Sequence, residues 1–384
     1  MNHRKVLFLI ESLSGGGAEK VLVTLLRHLD KSRFAVTLCC ISNTGKYLGD
    51  VPDSVHYRYL LPSASSLSYW ASFWYKIKYK LVYELLPPRW AYRLFIPKGN
   101  DTEVAFTEGF VTKLLAASPN RKAKKIAWIH TDLAQNPWPQ SRKIYRNLEE
   151  ERHAYDAFDR IVCVSESVAK AFRSIYSPQS AVSVLYNPVD RDEIRRLAKK
   201  NSPVGWQSTD GSIIRLVSVG RLAAQKGYDR LLRTCGRLRR EGYRFELCIL
   251  GEGSGRKELE QLMNQEGIEA DVCLPGFLAN PYPLVASADL FVCPSRAEGY
   301  STAVTESLIL GVPVLATECA GMRELVGAHC CGIITDNNER AFYLGLKSLL
   351  ENKAELSRLH EGACLRGNDF SLESSVQAIE EILA

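Results

Sequence analysis

Two short apolar runs, each feeding a glycine turn and then a helical pattern, leave this chain few folds to choose from. The first run is 5–10, Lys-Val-Leu-Phe-Leu-Ile, a continuous apolar stretch of the kind that forms a parallel strand buried on both faces. It passes through Gly15, Gly16 and Gly17 into 20–29, where Val21, Leu22, Leu25, Leu26 and Leu29 recur at helical spacing. The second run, 213–219, turns at Gly220-Arg221 into a helical pattern near 228–241. Further strand-like runs fall at 35–41, 102–106, 126–130, 161–164 and 182–186, then at 245–250, 271–274, 290–293 and 314–316. Helical patterns separate many of them, which predicts an α/β chain of two doubly wound, Rossmann-like sheets. The Lys-, Ser-, Pro- and Gly-containing stretch 199–211 reads as the linker, giving domains at 1–198 and 199–368.

Composition agrees with that division. A chain of 384 residues with 46% hydrophobic and 24% charged residues has material for two cores, which excludes disorder and a disulfide-stapled mini-scaffold. No apolar run approaches the roughly 20 residues of a membrane-spanning helix. Glu11 ends the first run too early for a secretion signal, so a soluble, cytoplasmic protein is expected. The eleven cysteines are odd in number and form no CxxC pair, and Cys39, Cys40, Cys163, Cys248, Cys273 and Cys293 lie in strand-like runs. Buried, reduced thiols and no metal site are the expectation. Charge is uneven: residues 1–190 hold 26 of the 49 Lys and Arg and 17 of the 43 Asp and Glu, a net of +9, while the remainder is −3. The two halves should therefore meet different partners.

The richest segment is 293–317, CPSRAEGYSTAVTESLILGVPVLAT. A strand ends at Cys293-Pro294, Glu298 lies in the following loop, and Glu306 sits about one turn inside the next helix. The exposed N–H groups of a helix start suit a phosphate, and a nearby glutamate can accept hydrogen bonds from sugar or ribose hydroxyls. Capping and surface acids are the plainer alternative. With seven residues between the glutamates, and with Gly311-Val-Pro-Val-Leu-Ala-Thr317 and Gly321-Met-Arg-Glu324 following, the segment resembles the retaining nucleotide-sugar glycosyltransferases of family 4 (group 1), which have the GT-B fold.

That resemblance covers almost the whole chain and assigns roles. It implies two domains facing across a cleft, with a C-terminal helix, within 369–384, crossing back to the first. Glu298 would contact the donor sugar and Glu306 the ribose, with Gly299, Tyr300, Ser301 and Thr302 beside them. Here Tyr300-Ser301 departs from the Phe-Gly or Phe-Pro of many members. Arg221 and Lys226 would hold the donor diphosphate, as a fork and a point charge. Gly251 and Gly253 match the GxG turn whose missing side chains admit a nucleotide, and Gly276-Phe277 the element beside the base. In the first half, Gly15–Gly17 match a loop facing the cleft on the acceptor or phosphate side. His130, at a strand end, would contact the transferred sugar, although a lone histidine at a strand end is more often structural. Glu108 is placed on the acceptor side.

Residues 67–98 stand apart. They contain 10 of the 36 aromatics and six Lys or Arg against a single acid, Glu84. Trp70 and Trp74 with Lys76, Lys78 and Lys80 have the character of an interfacial helix, broken at Pro87-Pro88, on an anionic membrane. A core-packed hairpin or a protein contact stays open, while no nucleic-acid motif is present. The expectation is a metal-independent hexosyltransferase without a cofactor. Its co-substrate would be a nucleotide diphosphate sugar, UDP-sugar foremost, and its acceptor a glycan or polyprenyl-diphosphate-linked saccharide. It would act peripherally on the inner face of the cytoplasmic membrane in bacterial surface-polysaccharide synthesis. A non-catalytic nucleotide-binding subunit is the main rival. An oxidoreductase ranks last, because Gly15-Gly16-Gly17-Ala18 does not fit GxGxxG.

Overall fold

A computed structural model of the chain describes residues 3–63, 69–207, 210 and 212–384. It divides into two compact units, Met1–Pro188 with Glu373–Ala384, and Val189–Leu372.

The first unit holds seven parallel strands: β1 (Arg4–Ile10), β2 (Phe34–Ser42), β3 (His56–Leu61), β4 (Thr102–Ala105), β5 (Lys124–Ile129), β6 (Arg160–Cys163) and β7 (Ala181–Val184). Their order is β3-β2-β1-β4-β5-β6-β7, with the first strand central, as a doubly wound sheet requires. The centre of that sheet is dry: Val6 to Leu9 and Ile126 to Ile129 are fully buried. Helix Gly17–His28 follows β1 and buries Val21, Leu22, Leu25 and Leu26. The last helix, Leu372–Leu383, is tied down by Glu380, which accepts from the Asp30 N–H and pairs with Arg33, both at 2.7 Å.

The second unit holds β8 (Ile214–Val219), β9 (Phe245–Leu250), β10 (Val272–Gly276), β11 (Leu290–Cys293), β12 (Val314–Thr317) and β13 (Gly332–Thr335), in the order β10-β9-β8-β11-β12-β13. Leu216, Leu247, Leu290, Leu315 and Phe342 belong to one buried apolar cluster.

Three expectations need correction. The domain boundary falls at Pro188/Val189, not at 198/199. Helix Arg191–Ala198 belongs to the second unit because Ile194 is buried with Tyr282 and Ile309, and Arg195 donates to the Ile309 carbonyl at 3.2 Å. Likewise the first unit regains the chain at Glu373 rather than 369. Cys248 and Cys273, expected as free thiols, are joined as a disulfide; they are register partners on β9 and β10 with Cα atoms 4.9 Å apart. The other cysteines are free, and all but Cys330 and Cys364 are buried.

Of the basic aromatic segment, residues 67 and 68 lie outside the described residues. The rest forms helix Tyr69–Lys80, a π-helical turn Leu81–Leu85 and helix Pro88–Phe95. Proline breaks the run where its missing N–H does no harm, at the start of the second helix.

Candidate active site

Strands β8 and β11 are neighbours, Leu290 opposite Leu216 and Phe291 opposite Val217, so the loops beyond their carboxyl ends lie side by side. The β8 loop carries Arg221 and closes with a short 3₁₀ turn, Ala224–Lys226. Gly227 follows in the left-handed region at φ 68°, and a Cβ there would stand 2.0 Å from the Pro294 carbonyl oxygen. Only glycine lets the two loops approach this closely.

Within that contact Lys226 Nζ donates to Glu298 Oε1 at 2.7 Å, and Ser295 Oγ donates to the same oxygen at 2.5 Å. Glu298 is buried and Lys226 is partly covered, with side-chain exposures of 8% and 23%. Burial works against the Lys226 ammonium, but the Glu298 carboxylate outweighs it and holds its pKa above the ordinary lysine range. Arg221, in contrast, is exposed and makes no side-chain hydrogen bond or ion pair among the described residues.

Helix Thr302–Ile309 starts immediately after this loop. Ser301 caps it, accepting from the Val304 N–H, and Glu306 lies one turn inside, buried at 7% exposure. Gly299, Tyr300 and Ser301 are buried and Thr302 is half-buried. The second unit thus gathers Arg221, Lys226, Glu298 and Glu306 on adjoining loops and one helix start.

The glycine turn after β9 is packed against the neighbouring loop. A Cβ on Gly251 would lie 1.9 Å from the Gly220 carbonyl oxygen, and one on Gly253 2.3 Å from that of Leu222. The missing side chains let the two loops approach this closely. Gly276 ends β10 at φ 88°, against the Glu252 carboxylate, and Phe277 is half-buried.

The first unit presents a different chemistry. The His130 ring stacks on Trp128, with centroids 6.4 Å apart and planes at 13°, and lies 4.9 Å from the Phe106 ring. Its Nε2 is buried without a hydrogen-bond partner among the described residues. Burial drives its pKa down to about 3, only partly opposed by a hydrogen bond to the Phe106 backbone, so the imidazole is neutral. Glu108 is buried at 2% exposure, and its Oε1 accepts from the N–H groups of His130 and Thr131, each at 2.6 Å. Its carboxylate therefore braces the His130 loop. Burial raises its pKa to about 7 despite those hydrogen bonds. At the glycine loop, the Glu19 carboxylate occupies the space that a Cβ on Gly16 would need, 2.4 Å away. This acid lies over the helix start that follows Gly15, Gly16 and Gly17.

Two groups escaped the sequence reading. Ser295, three residues before Glu298, and Arg230, buried on the helix after the 3₁₀ turn, both brace the acid loop. Among the described residues, no group of three His, Cys, Asp or Glu side chains is placed to hold a metal ion.

On the helical pair, Trp70, Trp74, Trp90 and Leu94 are exposed at 73%, 65%, 53% and 63%. Lys76 and Lys80 are also exposed, whereas the Lys78 ammonium lies over the Phe95 ring at 5.4 Å. No helix among the described residues is long and apolar enough to cross a membrane.

Residues 208–365 match the family model "Glycosyl transferases group 1" and residues 15–193 match "Glycosyltransferase Family 4". The chain is 33% identical over 171 residues to the N-acetylgalactosamine-N,N'-diacetylbacillosaminyl-diphospho-undecaprenol 4-alpha-N-acetylgalactosaminyltransferase of Campylobacter jejuni, covering 44% of each chain. It is 27% identical over 209 residues to the putative colanic acid biosynthesis glycosyltransferase WcaL of Salmonella typhimurium, covering 52% of this chain and 48% of that one. The match thus spans less than half the length of either relative. Over the whole fold the chain superposes on Anabaena HepE, solved with UDP and glucose, at a TM-score of 0.74 and 20% identity, covering 99% of both chains. Two successive family matches and one shared fold lead to the same place: the chain belongs to the group 1, family 4 glycosyltransferases with the GT-B fold.

Proposed function

We propose that this protein is a retaining hexosyltransferase that uses a nucleotide diphosphate sugar, UDP-sugar foremost, in bacterial surface-polysaccharide synthesis. The observation that carries the reading is the Lys226–Glu298 pair beside exposed Arg221 and the start of the helix bearing Glu306. Arg221 and Lys226 meet the charge that develops on the departing diphosphate, helped by the helix start, so no divalent ion is required. Glu306 accepts from ribose hydroxyls and Glu298 from the sugar ring. The bond from the anomeric carbon to the phosphate oxygen breaks as the acceptor oxygen bonds to the same face. The acceptor proton passes to the leaving phosphate. The neutral ring of His130 suits a hydrogen bond to a sugar hydroxyl without adding charge.

A polyprenyl-diphosphate-linked acceptor is the favoured partner, in line with the diphospho-undecaprenol named for the Campylobacter relative. The exposed tryptophans and cations of the helical pair support peripheral attachment to an anionic membrane face.

The test is a panel of UDP-, GDP- and ADP-sugars, read as nucleotide release with a chelator present, for wild type, Arg221→Ala and Glu298→Ala. Release from one donor, lost in both variants, is expected. Release that needs added metal refutes metal independence, a product of inverted anomeric configuration refutes retention, and no donor binding refutes the reading altogether.

A further inference from the structure

A buried arginine reaches three adjacent strand ends in the second unit without meeting a carboxylate. Arg230 leaves the helix that follows β8 and is buried, at 4% exposure. Its Nε donates to the Pro294 carbonyl at 2.6 Å and its Nη2 to the Ser295 carbonyl at 2.5 Å, both just beyond β11. Nη1 donates to Asn337 Oδ1 at 2.8 Å, beyond β13, and Nη2 lies 3.3 Å from Thr317 Oγ1, which ends β12. No ion pair to Arg230 is present among the described residues.

The Ser295 carbonyl is the focus of this arrangement. Besides Arg230 it accepts from Thr317 Oγ1 at 2.5 Å and from the Cys319 thiol at 3.1 Å. The hydroxyl of the same residue donates to Glu298. The acid loop is also held from outside, where Arg296 forks onto Asp229 at 2.7 and 2.8 Å and the Asn337 amide donates to the Arg296 carbonyl at 2.9 Å. A buried guanidinium is costly to desolvate. A planar five-donor fork answers that cost by fixing several carbonyls at defined angles.

We propose that Arg230 is a positioning residue of the donor site, pinning the 294–298 loop so that Glu298 stands at bonding distance from Lys226. It touches neither substrate nor reacting atoms and acts through the Ser295 backbone and hydroxyl. The inference rests on the reading that Lys226 and Glu298 handle the donor.

The test compares wild type, Arg230→Lys and a control, Arg237→Lys, whose exposed side chain pairs with Glu241 on the outer surface. Lysine keeps the charge but loses the planar fork, so it cannot reach the Pro294 and Ser295 carbonyls and Asn337 at the same fixed angles. Hydrogen exchange is followed over 294–301, UDP affinity by calorimetry, and transfer with the donor found in the panel. Arg230→Lys is expected to exchange at least about tenfold faster over 294–301 with β8 and β9 unchanged, to bind UDP within about threefold of wild type, and to lose about 10- to 100-fold in kcat. The control is expected to match wild type in all three. Should Arg230→Lys fail to fold, Thr317→Val removes one hydroxyl from the same carbonyl and is expected to give a smaller shift of the same pattern. Unchanged exchange over 294–301, or faster exchange with kcat equal to the control, overturns the proposal. If wild type releases nucleotide from no donor, the functional reading has failed, and the exchange measurement alone decides whether Arg230 holds the loop.

Discussion

At the carboxyl ends of its two sheets the protein handles buried ionisable groups in opposite ways. In the second unit Lys226 keeps its charge although it is largely covered, because Glu298 lies 2.7 Å away. In the first, no acid faces His130 and no cation faces Glu108 among the described residues, so burial discharges the imidazole and pulls the carboxyl toward its neutral form. Burial is similar in both places; what differs is an opposite charge within hydrogen-bond reach, which decides the sign of the shift. A charged, cation-bearing loop pair suits a diphosphate, and a neutral ring beside stacked aromatics suits hydroxyls.

The sharpest way to break this contrast is Lys226→Ala. It leaves Glu298 buried with Ser295 as its remaining donor, which should destabilise the second unit by about 2–4 kcal/mol. It should also lower kcat/KM by about 10²- to 10³-fold. Adding Glu298→Gln removes the stranded charge, so the double variant should recover most of the stability in urea unfolding and none of the activity. Recovery of both would mean that the pair is structural only.

That pair was legible because residue type, spacing and flanking glycines all coincide in 219–227 and 293–317. Its supports were not. Arg230 precedes Thr234 by four residues and Leu238 by eight, so helical period puts it on the buried face of Tyr228–Arg240. Residue type puts it in water with Arg233, Arg237, Arg239 and Arg240, and only the carbonyls gathered from β11 resolve the conflict. Strands β3 and β13 went unread for a related reason. They are sheet edges, HYRYLL and GIIT, half-exposed and without the continuous apolar run that marks a central strand. The bridge from Cys248 to Cys273 depends on the pairing of β9 with β10, which no cysteine spacing reveals.

Next in size is Glu108→Gln. The pKa of Glu108 rises from an ordinary 4.5 to about 7 on folding. The folded state therefore favours the protonated acid, and the first unit loses stability as pH climbs from 4.5 to 7, with the full cost remaining above that. An amide keeps the acceptor for the His130 and Thr131 N–H groups and removes the charge. Glu108→Gln should thus be about 2–3 kcal/mol more stable than wild type at pH 8 and near equal at pH 4.5, read by urea unfolding. A difference that does not change with pH would show that Glu108 stays ionised, against the contrast drawn here.

Part of the positive charge of the first half lies on the exposed helical pair. Replacing Trp70, Trp74, Lys76 and Lys78 by Ser should weaken flotation with anionic vesicles at low salt by about tenfold. Trp90→Ser with Leu94→Ser should act in the same direction on anionic and neutral vesicles alike, since those side chains contribute area rather than charge. Equal flotation of wild type and both variants would assign the face to a protein partner.

The smallest expected effect is the most discriminating. If His130 serves as a neutral hydrogen-bonding group with a pKa near 3, the pH dependence of kcat/KM between 5 and 8 should contain no ionisation from it. Wild type and His130→Asn should then differ by a constant factor across that range, because the amide also lacks a proton to gain. An acid limb near pH 6 that disappears in His130→Asn would mean that bound substrate supplies the opposite charge missing from the first unit. The imidazole would then titrate as Lys226 does, held in its charged form by a partner, and the contrast between the two sheet ends would belong to the empty protein only.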